Sequence, residues 1–124
     1  MKLRIRGDSV RLRLSQTETV QLSEQGFVAD SIGFAAGNGL EYRIEAAAGA
    51  SVVTAFDGRR ILVTVPEPMV RAWLEPAEVS ISAEQELEPG RRLRVLIEKD
   101  FTCLTPREGE DDSDSFPNPD AGAK

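Results

Sequence analysis

Asp57-Gly58-Arg59-Arg60-Ile61-Leu62-Val63-Thr64-Val65-Pro66-Glu67-Pro68-Met69-Val70-Arg71-Ala72-Trp73 sets the class of the fold. Asp-Gly is a tight-turn pair, because both residues tolerate the backbone geometry that short hairpins demand. Ile61, Val63 and Val65 then recur at every second position, the period of a strand with one buried face. After Pro66 the period changes. Pro68 suits a first helical turn, Met69, Val70 and Trp73 form a stripe at i, i+1 and i+4, and Pro76 stops it. A strand running directly into a short helix predicts mixed α and β structure.

The same alternation appears on both sides of this stretch. Leu3 and Ile5 oppose Lys2, Arg4 and Arg6; Val10, Leu12 and Leu14 oppose Arg11 and Arg13, with Gly7-Asp8 as the turn. Leu40, Tyr42 and Ile44 oppose Glu41, Arg43 and Glu45, after a Gly37-Asn38-Gly39 hairpin turn. Val79 and Ile81, then Leu93, Val95 and Ile97, continue the pattern. Ser51–Phe56 reads as a strand pairing with Arg59–Val65. A capping box of Ser15 with Glu18, closed by Gly26, marks a first helix with a thin apolar face at Val20 and Leu22. The acidic run Glu84-Gln85-Glu86-Leu87-Glu88 before Pro89-Gly90 reads as a polar loop.

These pieces predict an α+β domain of mainly antiparallel strands, as a sheet or partly closed barrel, with two short helices. A weak βαββ duplication runs through it. Val10 and Ile61 lie 51 residues apart, as do Ile44 and Val95. Residues 1–104 form the globular body, and 105–124 an acidic, proline-containing tail that packs partly on it.

With 124 residues, one core is enough and no staple is needed. A net charge of −6 disfavours nucleic acid and anionic lipid as partners. Histidine is absent, which removes Ser-His and Cys-His nucleophile pairs and histidine metal ligands. The single cysteine, Cys103, allows no intrachain disulfide, and no apolar leader or membrane-length run is visible. The expected location is the cytoplasm, with no cofactor and no metal site. The acids of the tail lack the glycine and closing glutamate of a calcium loop.

Charge is distributed unevenly. The start of the chain has Lys2, Arg4, Arg6, Arg11 and Arg13 against Asp8 alone, whereas the tail has Glu108, Glu110, Asp111, Asp112 and Asp114. Paired strands would place the arginines on one face, where like charges oppose each other and need an anionic complement. That complement is internal, from Glu98, Asp100 or the tail, or it is an external phosphate or carboxylate gripped by guanidinium forks. The candidate binding residues are Arg4, Arg6, Arg11, Arg13, Arg94, Glu98, Lys99 and Phe116. Phe116, beside Pro117-Asn118-Pro119, reads as a strap pinned to the body.

Met1–Gly7, Val10–Gln16, Glu98-Lys99-Asp100-Phe101, Cys103-Leu104 and Phe116-Pro117-Asn118-Pro119 resemble an uncharacterised bacterial family of short proteins. The resemblance implies a bacterial single-domain protein and brings no activity, cofactor or catalytic residue with it. Two functions remain open from sequence. One is a non-catalytic binding or accessory protein meeting a protein partner or small anionic ligand. The other is a small enzyme on an anionic substrate, with Glu98, Asp100 or Lys99 moving protons.

Overall fold

The computed structural model of the chain describes residues 1–100 and Phe116. The elements run β1 (Lys2–Arg6), β2 (Ser9–Leu14), α1 (Gln16–Gln25), β3 (Phe27–Ala35), β4 (Asn38–Ala47), β5 (Val53–Phe56), β6 (Arg60–Pro66), α2 (Glu67–Trp73), β7 (Ser80–Glu88) and β8 (Arg91–Lys99). The domain is α+β, as its alternations predict.

Each element follows from local chemistry. In β2 every second residue, Val10, Leu12 and Leu14, is buried. The Ser15–Glu18 capping box is formed in both directions, and Gly26 closes α1 in the left-handed conformation with its N–H donating to Leu22 O. Only Thr19 and Leu22 of α1 are buried, while Val20 faces outward. In α2, Val70 and Trp73 point inward, and the Trp73 indole N–H donates to Val79 O at 3.0 Å. The run Glu84–Glu88 belongs to β7, which corrects the polar-loop reading.

Two four-stranded sheets result, sheet A in the order β1-β2-β8-β7 and sheet B in the order β3-β4-β6-β5. Outer pairs are antiparallel; the central pairs, β2 with β8 and β4 with β6, are parallel. Trp73, Leu12, Leu14, Leu22, Ile44 and Ile97 are among the largest fully buried side chains of the common core. Each such side chain stabilises by about 1.5–3 kcal/mol.

The duplication is architectural, but its unit is ββαββ, one strand longer than the sequence suggested. β5 is the counterpart of β1. Through the first strands and the helices the offset is 51, matching the buried pairs Leu12 with Val63 and Leu22 with Trp73. Two extra residues lie between α2 and β7, so the later strands match at 53 and Ile44 corresponds to Ile97. A two-residue shift keeps every side chain on its original face. Fine details repeat at these offsets. Asp8 O accepts from Arg94 N–H at 2.8 Å, as Arg59 O does from Glu41 N–H at 2.9 Å. The β3–β4 bulge at Gly33/Ala35 recurs in β7–β8 at Glu86/Glu88, and the turns behind them use Gly37 and Gly90 at φ 78° and 82°. The halves exchange hairpins, because each sheet joins two strands of one half to two of the other.

Side chains bridge the sheets at both edges. Gln85 of β7 pairs its amide with the N–H and C=O of Thr54 in β5, at 2.8 and 3.3 Å. On the other side, Tyr42 hydroxyl donates to Met1 O at 3.3 Å, and the Met1 ammonium meets Glu18 and Asp30. Burial alone would lower that ammonium, but the two carboxylates hold it above its ordinary value. Among the described residues no main-chain ladder joins the sheets, so they form two layers and no closed barrel.

Candidate functional site

Strand register builds the outer face of sheet A row by row. Lys2, Arg13, Glu98 and Ser80 form one row; Arg4, Arg11, Leu96 and Ser82 the next; Arg6, Ser9, Arg94 and Glu84 the third. The expected arginine face therefore exists, and β8 extends it with Arg94. Arg4 lies directly opposite Arg11, the like-charge juxtaposition that requires an anion.

Part of the complement is internal. Glu98 Oε1 lies 2.9 Å from Arg11 Nε and 3.0 Å from Arg13 Nε. Its carboxylate is 16% exposed, so it sits beneath the two guanidiniums and does not float beside them. Lys2 Nζ meets Asp100 at 2.9 Å. The tail acids and Cys103 lie outside the described residues, as does the boundary at 104.

Toward the turn of the β1–β2 hairpin the balance changes. Arg4, Arg6, Arg11, Arg94, Ser82 and Glu84 line a cleft of about 510 Å³. Arg94 is 77% exposed and reaches Glu84 only at 3.8 Å, whereas Arg92 reaches it at 3.2 Å. Among the described residues, no carboxylate pairs with Arg4 or Arg6. Glu84 makes the β7 end of the cleft negative, which leaves its positive end at β1. Behind it, Arg91 grips Asp8 with a two-pronged contact at 2.9 and 3.0 Å. The Arg91 hydrogen bond holds the Asp8 carboxyl below the usual carboxylate range.

Lys99 and Phe116 do not join this face. Neighbouring strand residues point to opposite sides, so Glu98 faces outward and Lys99 inward. Lys99 is 5% exposed, and its Nζ donates to Glu75 O at 2.9 Å and Glu78 O at 2.7 Å. The ring centroids of Trp73 and Phe116 lie 5.8 and 5.7 Å from it. Burial lowers the Lys99 pKa, with Glu78 and Glu75 pulling the other way. Lys99 clasps the connection after α2 and corrects the expectation that it belongs with the arginines. Phe116 donates its N–H to Asp100 O at 2.7 Å, away from the cleft, and the rest of the expected strap lies outside the described residues.

Sequence reasoning missed Ser82 and Glu84. Their signal was present in the β7 alternation, once that run is read as a strand beside β8. No helix among the described residues is long and apolar enough to cross a membrane.

Fold and site together define a small α+β protein, a hairpin-exchanged ββαββ repeat with one basic sheet face. The chain belongs to a family of unknown function, DUF7009, whose model matches residues 1–120. No curated protein and no solved structure matches it.

Proposed function

We propose that this chain is a small non-catalytic binding protein of the bacterial cytoplasm that meets an anionic partner at the β1 end of the arginine face. The observation behind this reading is the unequal neutralisation of that face. Glu98 serves Arg11 and Arg13, while Arg4 and Arg6 lack an ion pair among the described residues and Arg94 has only a long one. Forked guanidiniums side by side match phosphate or carboxylate oxygens better than they match solvent. The enzyme alternative needs a proton-transfer group beside the arginines. Lys99 faces away from them, Glu98 is held by two guanidiniums, Asp100 meets Lys2, and Glu84 at the far end of the cleft is engaged by Arg92.

Calorimetric titration with tripolyphosphate and with poly-glutamate tests the reading. Arg4→Ala/Arg6→Ala should weaken both ligands by about tenfold, the equivalent of about 1.4 kcal/mol. Affinity indifferent to these two arginines would reject the site.

A further inference from the structure

We infer that the outer edge of β1 takes an extended acidic segment of a partner protein as an added strand. The inference rests on the anion-binding reading above and specifies the form in which the anion arrives.

The molecule already contains the interaction once. In β8 basic and apolar residues alternate as Arg92-Leu93-Arg94-Val95, and the antiparallel neighbour β7 answers with Glu84, Glu86 and Glu88. Glu84 stands opposite Arg94, Glu86 opposite Arg92 and Glu88 opposite Arg91. Arg92 and Arg94 both reach Glu84, and Arg91 reaches Glu88 at 3.5 Å. An acidic strand lies against a basic one, with charges on one face and smaller or apolar side chains on the other.

β1 repeats the basic partner's pattern as Lys2-Leu3-Arg4-Ile5-Arg6. Its neighbour β2 does not answer it, since Arg4 stands opposite Arg11 and Arg6 opposite Ser9. Among the described residues, β1 is the edge of sheet A on its other side. Three features are therefore presented together: guanidiniums with no carboxylate partner among the described residues, the 58%-exposed Ile5 on the reverse face, and the N–H and C=O groups of an edge strand. A free phosphate or small carboxylate would satisfy the first alone. An acidic strand with apolar residues between its acids satisfies all three, by main-chain bonds plus alternate side-chain contacts.

A second copy fits less well. Pairing β1 with itself antiparallel sets basic residues against basic residues. Pairing it with the β7 of another copy, face matching face, requires parallel strands, because β1 and β7 run the same way within the sheet. Glu84 and Glu88 are also engaged by their own arginines.

The β7 sequence supplies the probe. A labelled peptide Ser-Ile-Ser-Ala-Glu-Gln-Glu-Leu-Glu is titrated by fluorescence anisotropy beside a version with proline in place of its glutamine. The second keeps every charge but cannot pair fully as a strand. The first should bind at least about tenfold tighter. Arg4→Ala/Arg6→Ala should abolish the difference, and the first peptide should slow hydrogen exchange at amides within residues 3–6. Both exposed arginines can be removed without touching the core, and circular dichroism verifies the fold. Equal binding of the two peptides, or binding of tripolyphosphate with neither peptide bound, overturns strand addition and leaves the anion site standing. Failure of peptides and tripolyphosphate alike overturns both. Self-association of the protein in sedimentation velocity, lost in Arg4→Ala/Arg6→Ala, would assign the edge to a second copy and overturn the inference.

Discussion

Glu98→Gln removes the carboxylate that, among the described residues, serves both Arg11 and Arg13, while keeping its shape. Each exposed ion pair contributes about 0.2–1 kcal/mol, and these guanidiniums are 36% and 42% exposed, so solvent screening limits them. The half-hidden carboxylate favours the upper part of that range. Its loss also leaves Arg4 facing Arg11 without the Glu98 carboxylate to offset the repulsion, a further few tenths of a kcal/mol. The total is about 1–2 kcal/mol at low salt. In a domain of this size each kcal/mol shifts Tm by about 4 °C. Urea unfolding at about 0.05 M and about 1 M salt separates the electrostatic part, because the screening length falls to about 3 Å at the higher value. The deficit should shrink by about half or more in high salt. Tripolyphosphate should meanwhile bind the variant more tightly. One unit charge acting across roughly 8 Å of water-like medium is worth about 0.5 kcal/mol, roughly a twofold gain per ligand charge. A variant as stable as wild type at low salt, or one with weaker tripolyphosphate binding, would refute the electrostatic reasoning.

Other expectations are as concrete. Lys99→Met should destabilise by about 1–3 kcal/mol in thermal unfolding, because Glu75 O and Glu78 O lose their donor. The native Lys99 pKa lies below its unfolded value, so between the two the unfolded chain holds the extra proton. Wild-type stability should therefore rise relative to Lys99→Met as pH climbs through the alkaline range, measured by urea midpoints. Trp73→Ala should lower stability by about 3–5 kcal/mol, and native Trp73 fluorescence should be blue-shifted because the ring is 2% exposed. Gly39→Ala would place a Cβ 2.7 Å from Ile32 O and should cost about 1–3 kcal/mol. Gly33→Ala meets nothing within 4 Å and is the control that should leave Tm nearly unchanged.

Individual elements were legible because they rest on local chemistry: the Ser15–Glu18 box, the turn glycines, and the alternation in β2, β4, β6 and β8. Hairpin partners joined by those turns were legible as well, β1 with β2, β3 with β4 and β5 with β6; the partners across the two halves were not. A period of two states which residues share a face and says nothing of which strand lies alongside, so the parallel β2–β8 and β4–β6 pairs were hidden. β7 was misread because its inward side chains after Ile81 are only Ala83 and Gln85, while Leu87 is exposed at the bulge, so no apolar alternation stands out among the three glutamates. At the site, Arg4, Arg6, Arg11, Arg13 and Arg94 were brought together as expected. Parity alone would have separated Lys99 from Glu98: Leu93, Val95 and Ile97 point inward, and Lys99 continues their series. Its burial lay beyond reach because the acceptors are backbone carbonyls from a distant loop.

Exchange of hairpins also bears on how the chain is made. β2 finds its parallel neighbour only when β8 has left the ribosome, some eighty residues later. Until then the amino-terminal half holds four strands and one helix that cannot complete either layer alone. Long-range pairing of this kind slows folding and exposes unpaired strands during synthesis.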